Sequence, residues 1–342
     1  MRGSYSGYIK QYNVDTPASY IYLMAASLAF WVIGFIYSLG YPVYGGVIST
    51  PLWETVCRIL PDKTVTYLIG FILMIGGAFL IHRANYILVI IREKTFLPFL
   101  LYALFISTNP DFFPLKSTSV GIFCLILAMY QLFTSYHDTK AVDKAFNAAL
   151  FIGIGSLLWI HILWFFPLFW LGMYHFKALS LRTILASLMG ICTVYWFILG
   201  WCLFEWDFTP FTLSFIALTK IRFLHIMGTG LFDWVIISYL GFLALLSLVY
   251  ILTHDYDDNL RARQYLFFLI MFTLLSFGLF FFYEQSSDEF LCVSCMPLSI
   301  LLTHFFTVNK GKKRCRGFHL AFIVYIALSF ARLWSFLSNT VI

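Results

Sequence analysis

The residues able to do chemistry in this chain are few, and they sit in short polar stretches between long apolar ones. Stretch 205–230 opens with Glu205 and Asp207 and runs on to Lys220, Arg222 and His225. Three basic side chains close together can hold an anion such as a lipid phosphate through charge-assisted hydrogen bonds. The same three also suit a plain anchor among lipid head groups, and both readings stand. Stretch 41–64 carries Glu54, Arg58 and Asp62. Glu54 and Arg58 are four apart, so a short surface helix would show both on one face and Leu52, Trp53, Val56 and Ile59 elsewhere. Within 109–117, Asn109-Pro110-Asp111 spells a turn. Asp111 is also an outward carboxylate suited to a polar substrate. Stretch 284–289 holds Glu284, Asp288 and Glu289 without a base, the pattern of an acidic membrane-side loop.

Other reactive types point elsewhere. His161 lies between two apolar segments, where a lone imidazole serves packing or an interface. Cys292 and Cys295 make a Cys-x-x-Cys, but the βαβ setting of a redox motif is missing. No nucleophile elbow, phosphate-cradling glycine loop or metal-ligand spacing occurs, so neither a metal nor a cofactor is expected. Gly76-Gly77, Gly153 and Gly155 read as points of close helix packing.

The elements that must position these residues follow from composition. Of 342 residues, 61% are apolar, 20% aromatic and 11% charged, with mean hydropathy +0.86. Soluble domains carry about 25% charged residues. A soluble enzyme, a disordered chain and a disulfide scaffold are therefore excluded, leaving an all-α polytopic helical membrane protein. About eleven stretches approach the ~20 residues needed to cross a bilayer: 20–40, 65–82, 95–108, 118–136, 146–160, 162–176, 182–204, 231–253, 264–283, 289–308 and 317–338. The pair within 146–176 reads as a broken helix or a hairpin. The segment 211–219 is too short to span and reads as re-entrant or interfacial. A β-barrel is disfavoured, because the apolar runs are continuous.

Most Lys and Arg fall in alternate loops, which places the N-terminus in the cytoplasm and the stretches 41–64, 109–117, 205–230 and 284–289 outside. Lys220 and Arg222 run against that bias. Residues 1–342 form a single integral domain with a polar tail at 1–17. The first apolar run lacks the exit site of a cleavable signal peptide. The net charge of +6 belongs largely to the inward loops. Its densest part, 310–316, serves topology or anionic head groups. No soluble basic domain is present to bind nucleic acid.

Residues 119–190 run through a span, a short basic loop, a small-residue helix with Phe146-Asn147-Ala148-Ala149 and Gly153-Ile154-Gly155-Ser156-Leu157, an aromatic helix, and then Lys177 and Arg182. This order resembles the core of polytopic glycosyltransferases that use polyprenyl-phosphate sugars. With Asn85, Pro98 and Asn109-Pro110 it is also similar to an uncharacterised family of bacterial inner-membrane envelope proteins. The first resemblance implies an outward active site with an acidic residue in the first external loop. Only Glu54 and Asp62 can fill that role here, and no Asp-Asp or Asp-Glu pair stands there. It further implies Asp111, Glu205 and Asp207 as sugar or acceptor contacts, and Lys220, Arg222 and His225 on the phosphate of a polyprenyl carrier. Two other functions fit the sequence. One is a transporter or flippase of a lipid-linked substrate. The other is a non-catalytic membrane subunit of an envelope assembly, with lipids and another membrane protein as partners. The expected location is the inner membrane.

Overall fold

The computed structural model describes residues 14–37, 50–60, 62–109, 112, 115–138, 140–206, 208–219, 221, 231–253, 259–308 and 311–340. Residues 1–13 of the polar tail and the candidates Asp111, Asp207, Lys220, Arg222 and His225 lie outside the described residues. The chain is all-helical: α1 (Pro17–Tyr37), α2 (Pro51–Ile59), α3 (Lys63–Leu88), α4 (Leu97–Ser107), α5 (Ser117–Thr134), α6 (Val142–Leu158), α7 (Phe166–His175), α8 (Leu181–Glu205), α9 (Thr209–Thr219), α10 (Leu231–Thr253), α11 (Leu260–Phe282), α12 (Ser287–Thr307) and α13 (Lys312–Thr340). Eight helical segments among the described residues are long and apolar enough to cross a membrane, and the chain is an integral membrane protein of the multi-pass kind.

Local chemistry sets several helix starts. The Asp62 carboxylate accepts the Thr64 N–H at 3.0 Å and caps α3. Ser180 and Thr183 exchange side-chain-to-backbone bonds in a capping box at α8. Proline occupies the first turns of α2, α4 and α7, where its missing N–H costs nothing.

Tertiary contacts sort the helix ends into two groups. At one end, which we call the Lys144 end, Lys144 binds Asp138 at 3.2 Å and the Thr134 carbonyl at 2.9 Å. The Lys144 side chain and the Lys140 N–H beside it hold the Asp138 carboxyl below the usual carboxylate range. Close by, the Tyr265 hydroxyl joins Arg261 to the Phe133 carbonyl, at 2.7 and 2.8 Å. The Arg314 guanidinium lies 4.2 Å from the centre of the Tyr250 ring. At the opposite end, Trp159 meets Glu289 and Asp233 pairs with Arg332. Apart from α2 and α9, which both lie at the Trp159 end, successive helices alternate in direction between the two ends, the pattern repeated threading requires.

The pair within 146–176 is a hairpin. α6 stops at Leu158 and is followed by a 3-10 turn, Ile160–Phe165, and then α7. The Phe176 carbonyl accepts the His137 N–H at 2.9 Å, so α7 ends where α6 began. With rises of ~2.0 Å per 3-10 residue and ~1.5 Å per α residue, the returning arm is about 27 Å long. α6 and α8 pack in parallel at very short range. A Cβ added to Gly190 would lie 2.5 Å from the Phe146 carbonyl oxygen, so only glycine allows the approach. α4 is too short to cross alone, at about 16 Å, and is buried on nearly every face against α1, α3 and α12.

At the centre stands α12, with 94% of its most apolar stretch buried inside the bundle, against 28–61% for the other candidate spans. Its Thr303 and Thr307 hydroxyls bond back to carbonyls one turn earlier, each at 2.7 Å, which satisfies polar groups without water. Between helices, hydroxyl pairs do the same work: Thr108 with Tyr325 at 2.6 Å and Ser156 with Tyr195 at 2.8 Å.

Candidate functional site

The Trp159 end gathers described parts of the four stretches expected to face outward. α2, from stretch 41–64, packs on α6 and on α9, from stretch 205–230. α9 in turn packs on the 3-10 turn after α6. The Thr50 hydroxyl donates to the Leu158 carbonyl at 3.0 Å, and the Tyr283 hydroxyl donates to the Leu218 carbonyl at 2.7 Å. These two bonds tie α2 and α9 to the bundle.

Beside this turn the Trp159 indole N–H donates to Glu289 Oε2 at 2.5 Å. Glu289 stands in the first turn of α12, where the helix dipole favours a carboxylate. With Lys116, Thr118, Ser119 and Cys292 it lines a cavity of about 10 Å³, the size of one water. Thr118 is 2% exposed, and among the described residues its hydroxyl has no bond partner. His161 is more unusual. It is fully buried, and among the described residues neither ring nitrogen has a partner. Its ring stands edge-on to Tyr283 and Phe290, at 5.0 and 5.7 Å. Unpaired buried polar atoms are rare in folded proteins and mark either strain or a functional contact. The chemistry available here is that of a carboxylate able to accept a proton and an ammonium able to neutralise a charge, with the Thr118 hydroxyl in the same cavity and the His161 ring beside Trp159.

A second polar group lies across the N-terminus of α12. Asp233, in the first turn of α10, pairs with Arg332 of α13, and both line a cavity of about 90 Å³ with Ser287 and Asp288. Adjacent carboxylates, Asp288 and Glu289, thus serve the two cavities.

The sequence candidates stand around these groups. Glu54 and Arg58 are exposed on α2 while Trp53 is buried, which is the surface helix the spacing implied. Burial, helped by the Glu54 carboxylate, raises the Cys57 thiol between them. Asp62 is exposed and serves as the α3 cap, and Glu205 is exposed at the last turn of α8. None of Glu54, Asp62 and Glu205 lines either cavity. Cys292 and Cys295 are buried free thiols, with Cys295 donating to the Leu291 carbonyl at 3.3 Å. Among the described residues no three His, Cys, Asp or Glu side chains cluster as metal ligands do.

The sequence presents Glu289 as part of an acidic loop and His161 as a packing or interface residue, and assigns Arg332 no role. One signal was available: an ionisable residue inside an apolar helix, as Arg332 is in Phe330-Ala331-Arg332-Leu333-Trp334, needs a partner. No family model, curated protein or solved structure matches the chain.

Proposed function

We propose that this membrane protein acts at the outer face of a bacterial inner membrane on a polyprenyl-phosphate-linked sugar, as a glycosyltransferase of the cell envelope. The observation that carries the reading is the gathering of α2, α9, Phe112 and Lys116 around the turn that holds Trp159 against Glu289. The resemblance of residues 119–190 to glycosyltransferases of this class supports the same reaction.

In that reaction a carboxylate takes the proton of an acceptor hydroxyl as its oxygen attacks the anomeric carbon. The bond from that carbon to the phosphate oxygen breaks, and the polyprenyl phosphate leaves with the bonding pair. A basic side chain neutralises the charge that develops on it. Glu54 on the exposed face of α2 is the first candidate base. Asp62 is second, because it already accepts the Thr64 N–H. Glu289 beside Lys116 is the acid–base pair the fold adds. Asp111, Glu205 and Asp207 are proposed for sugar or acceptor, and Lys220, Arg222 and His225 for the phosphate.

The test is glycan transfer from a polyprenyl-linked donor by protein carrying Ala, one position at a time, at Glu54, Asp62, Glu205, Asp207 and Glu289. Loss of the base should cost about 10²–10⁴ in rate. Full activity in all five variants removes the proposal.

One observation favours a different reading, a non-catalytic subunit of an envelope assembly. The cavities of about 10 and 90 Å³ are small beside the ~300 Å³ and above of small-molecule sites. That reading expects co-purification with a second membrane protein and an unchanged glycan profile in all five variants.

A further inference from the structure

Where α10, α11, α12 and α13 meet at the Trp159 end, the 90 Å³ cavity places one guanidinium, two carboxylates and a hydroxyl around one space. The Arg332 side chain is 13% exposed and paired with Asp233. Ser287 and Asp288 come from the first turn of α12, and Ile236, Phe280 and Leu291 supply apolar walls. A charged pair between apolar helices is costly, so it marks a place where polar matter is handled.

The size and charge of the space narrow the occupant. A water needs ~10–15 Å³ of such volume, so the cavity has room for about six to nine water-sized groups. A bare phosphate would face two carboxylates, and a bare divalent cation would face the guanidinium. A group carrying both charges meets both demands. Its phosphate would take the planar donors of Arg332 and the Ser287 hydroxyl, which would turn to it from its 3.1 Å bond to the Glu284 carbonyl. Its ammonium would donate to Asp288 and Asp233. A quaternary ammonium has no N–H to donate and would be bound less well.

Depth in the membrane favours a lipid as the source. Trp234 follows Asp233, and Trp334, 69% exposed, stands two residues after Arg332. Tryptophans of this kind sit at the level of lipid head groups, which puts the cavity at that level too. We propose that this cavity binds the head group of a phosphate–amine lipid of the phosphatidylethanolamine kind. The inference does not depend on glycosyl transfer.

The test uses the full-length protein in nanodiscs made from equal parts of phosphatidylethanolamine, phosphatidylglycerol and phosphatidylcholine, with retained lipid read by native mass spectrometry. Phosphatidylethanolamine should be retained about tenfold over each of the others, the worth of one charge-assisted contact. Asp288→Asn and Ser287→Ala keep the Asp233–Arg332 pair and should each reduce that preference severalfold. A paired Asp233→Asn, Arg332→Gln variant removes both charges together and should abolish it while thermal unfolding shows a folded protein. Equal retention of the three lipids, or a preference unchanged in Asp288→Asn and Ser287→Ala, overturns the proposal. Tight binding of free O-phosphoethanolamine without any lipid preference would assign the cavity to a soluble metabolite, and so overturns the lipid source.

Discussion

Replacing Trp159 with Phe tests the contact on which the candidate site rests. Trp159 is 2% exposed, and its indole N–H reaches Glu289 Oε2 at 2.5 Å. A hydrogen bond to a charged group contributes about 1.5–3 kcal/mol. Phe removes the donor and part of the ring, so the total loss is larger, because the smaller ring leaves a gap that costs its own lost contacts. A double-mutant cycle with Glu289→Ala separates the two terms. The gap from the smaller ring appears in Trp159→Phe whether or not residue 289 is a glutamate, whereas the hydrogen bond is lost only once. Each single variant should therefore destabilise, and the double variant should lose about 2 kcal/mol less than the two singles combined. The assay is reversible unfolding in mixed micelles, with the lipid composition and protein concentration held fixed. Independent sites add to within ~0.3–0.5 kcal/mol. A coupling below that range means the indole and the carboxylate do not depend on one another, and the site as described here falls with it.

Other outcomes follow from single contacts. Gly190→Val drives a side chain into the Phe146 carbonyl and should cost about 1–3 kcal/mol, read as a lower unfolding temperature. Gly241→Ala meets nothing within 4 Å and should stabilise α10 by about 0.5–1 kcal/mol; equal losses at the two sites would contradict the packing. Tyr325→Phe leaves the Thr108 hydroxyl without its 2.6 Å partner and should cost about 1 kcal/mol by the same assay. The folded Asp138 carboxyl lies below its unfolded value of ~3.9, so its contribution is fully present above that value and disappears as pH falls through the lower, folded one. Wild type and Asp138→Asn should therefore differ by a constant amount at neutral pH and converge below about pH 4, in unfolding followed across acid pH. Cysteines placed at Glu54 and Lys116 should react with an impermeant thiol reagent on whole cells, and one at Lys144 only after permeabilisation; the reverse pattern would invert the orientation.

The long spans were legible because continuous apolar sequence has few other outcomes. α8, α10 and α13 fall on 182–204, 231–253 and 317–338 to within a few residues. The exception among the long spans is α3, which continues to Leu88 past Arg83, where the sequence reading stopped at 82. A base at a helix end snorkels toward water without ending the helix. The hairpin at 146–176 was visible as an irregularity, but choosing it over a broken helix needed the His137–Phe176 bond. The site was less legible, since it joins residues far apart in the chain. Trp159 and Glu289 are separated by 130 positions and Thr108 and Tyr325 by 217, and spacing rules reach only a turn or two of helix. Asp288 and Glu289 were assigned to a loop by their charge. The helix N-terminus is the other place where acids are favoured, and there the two residues stand.

The enclosed position of α12 bears on how the molecule is built. The ribosome delivers it next to last, after α1, α4 and α5 have entered the bilayer. Those helices have no central partner until residues beyond Ser287 arrive, so the earlier five-sixths of the polypeptide waits with the faces that α12 will cover still open. Maturation is then a late event that closes all at once, and chains cut short before α12 are the ones a membrane protease would find open.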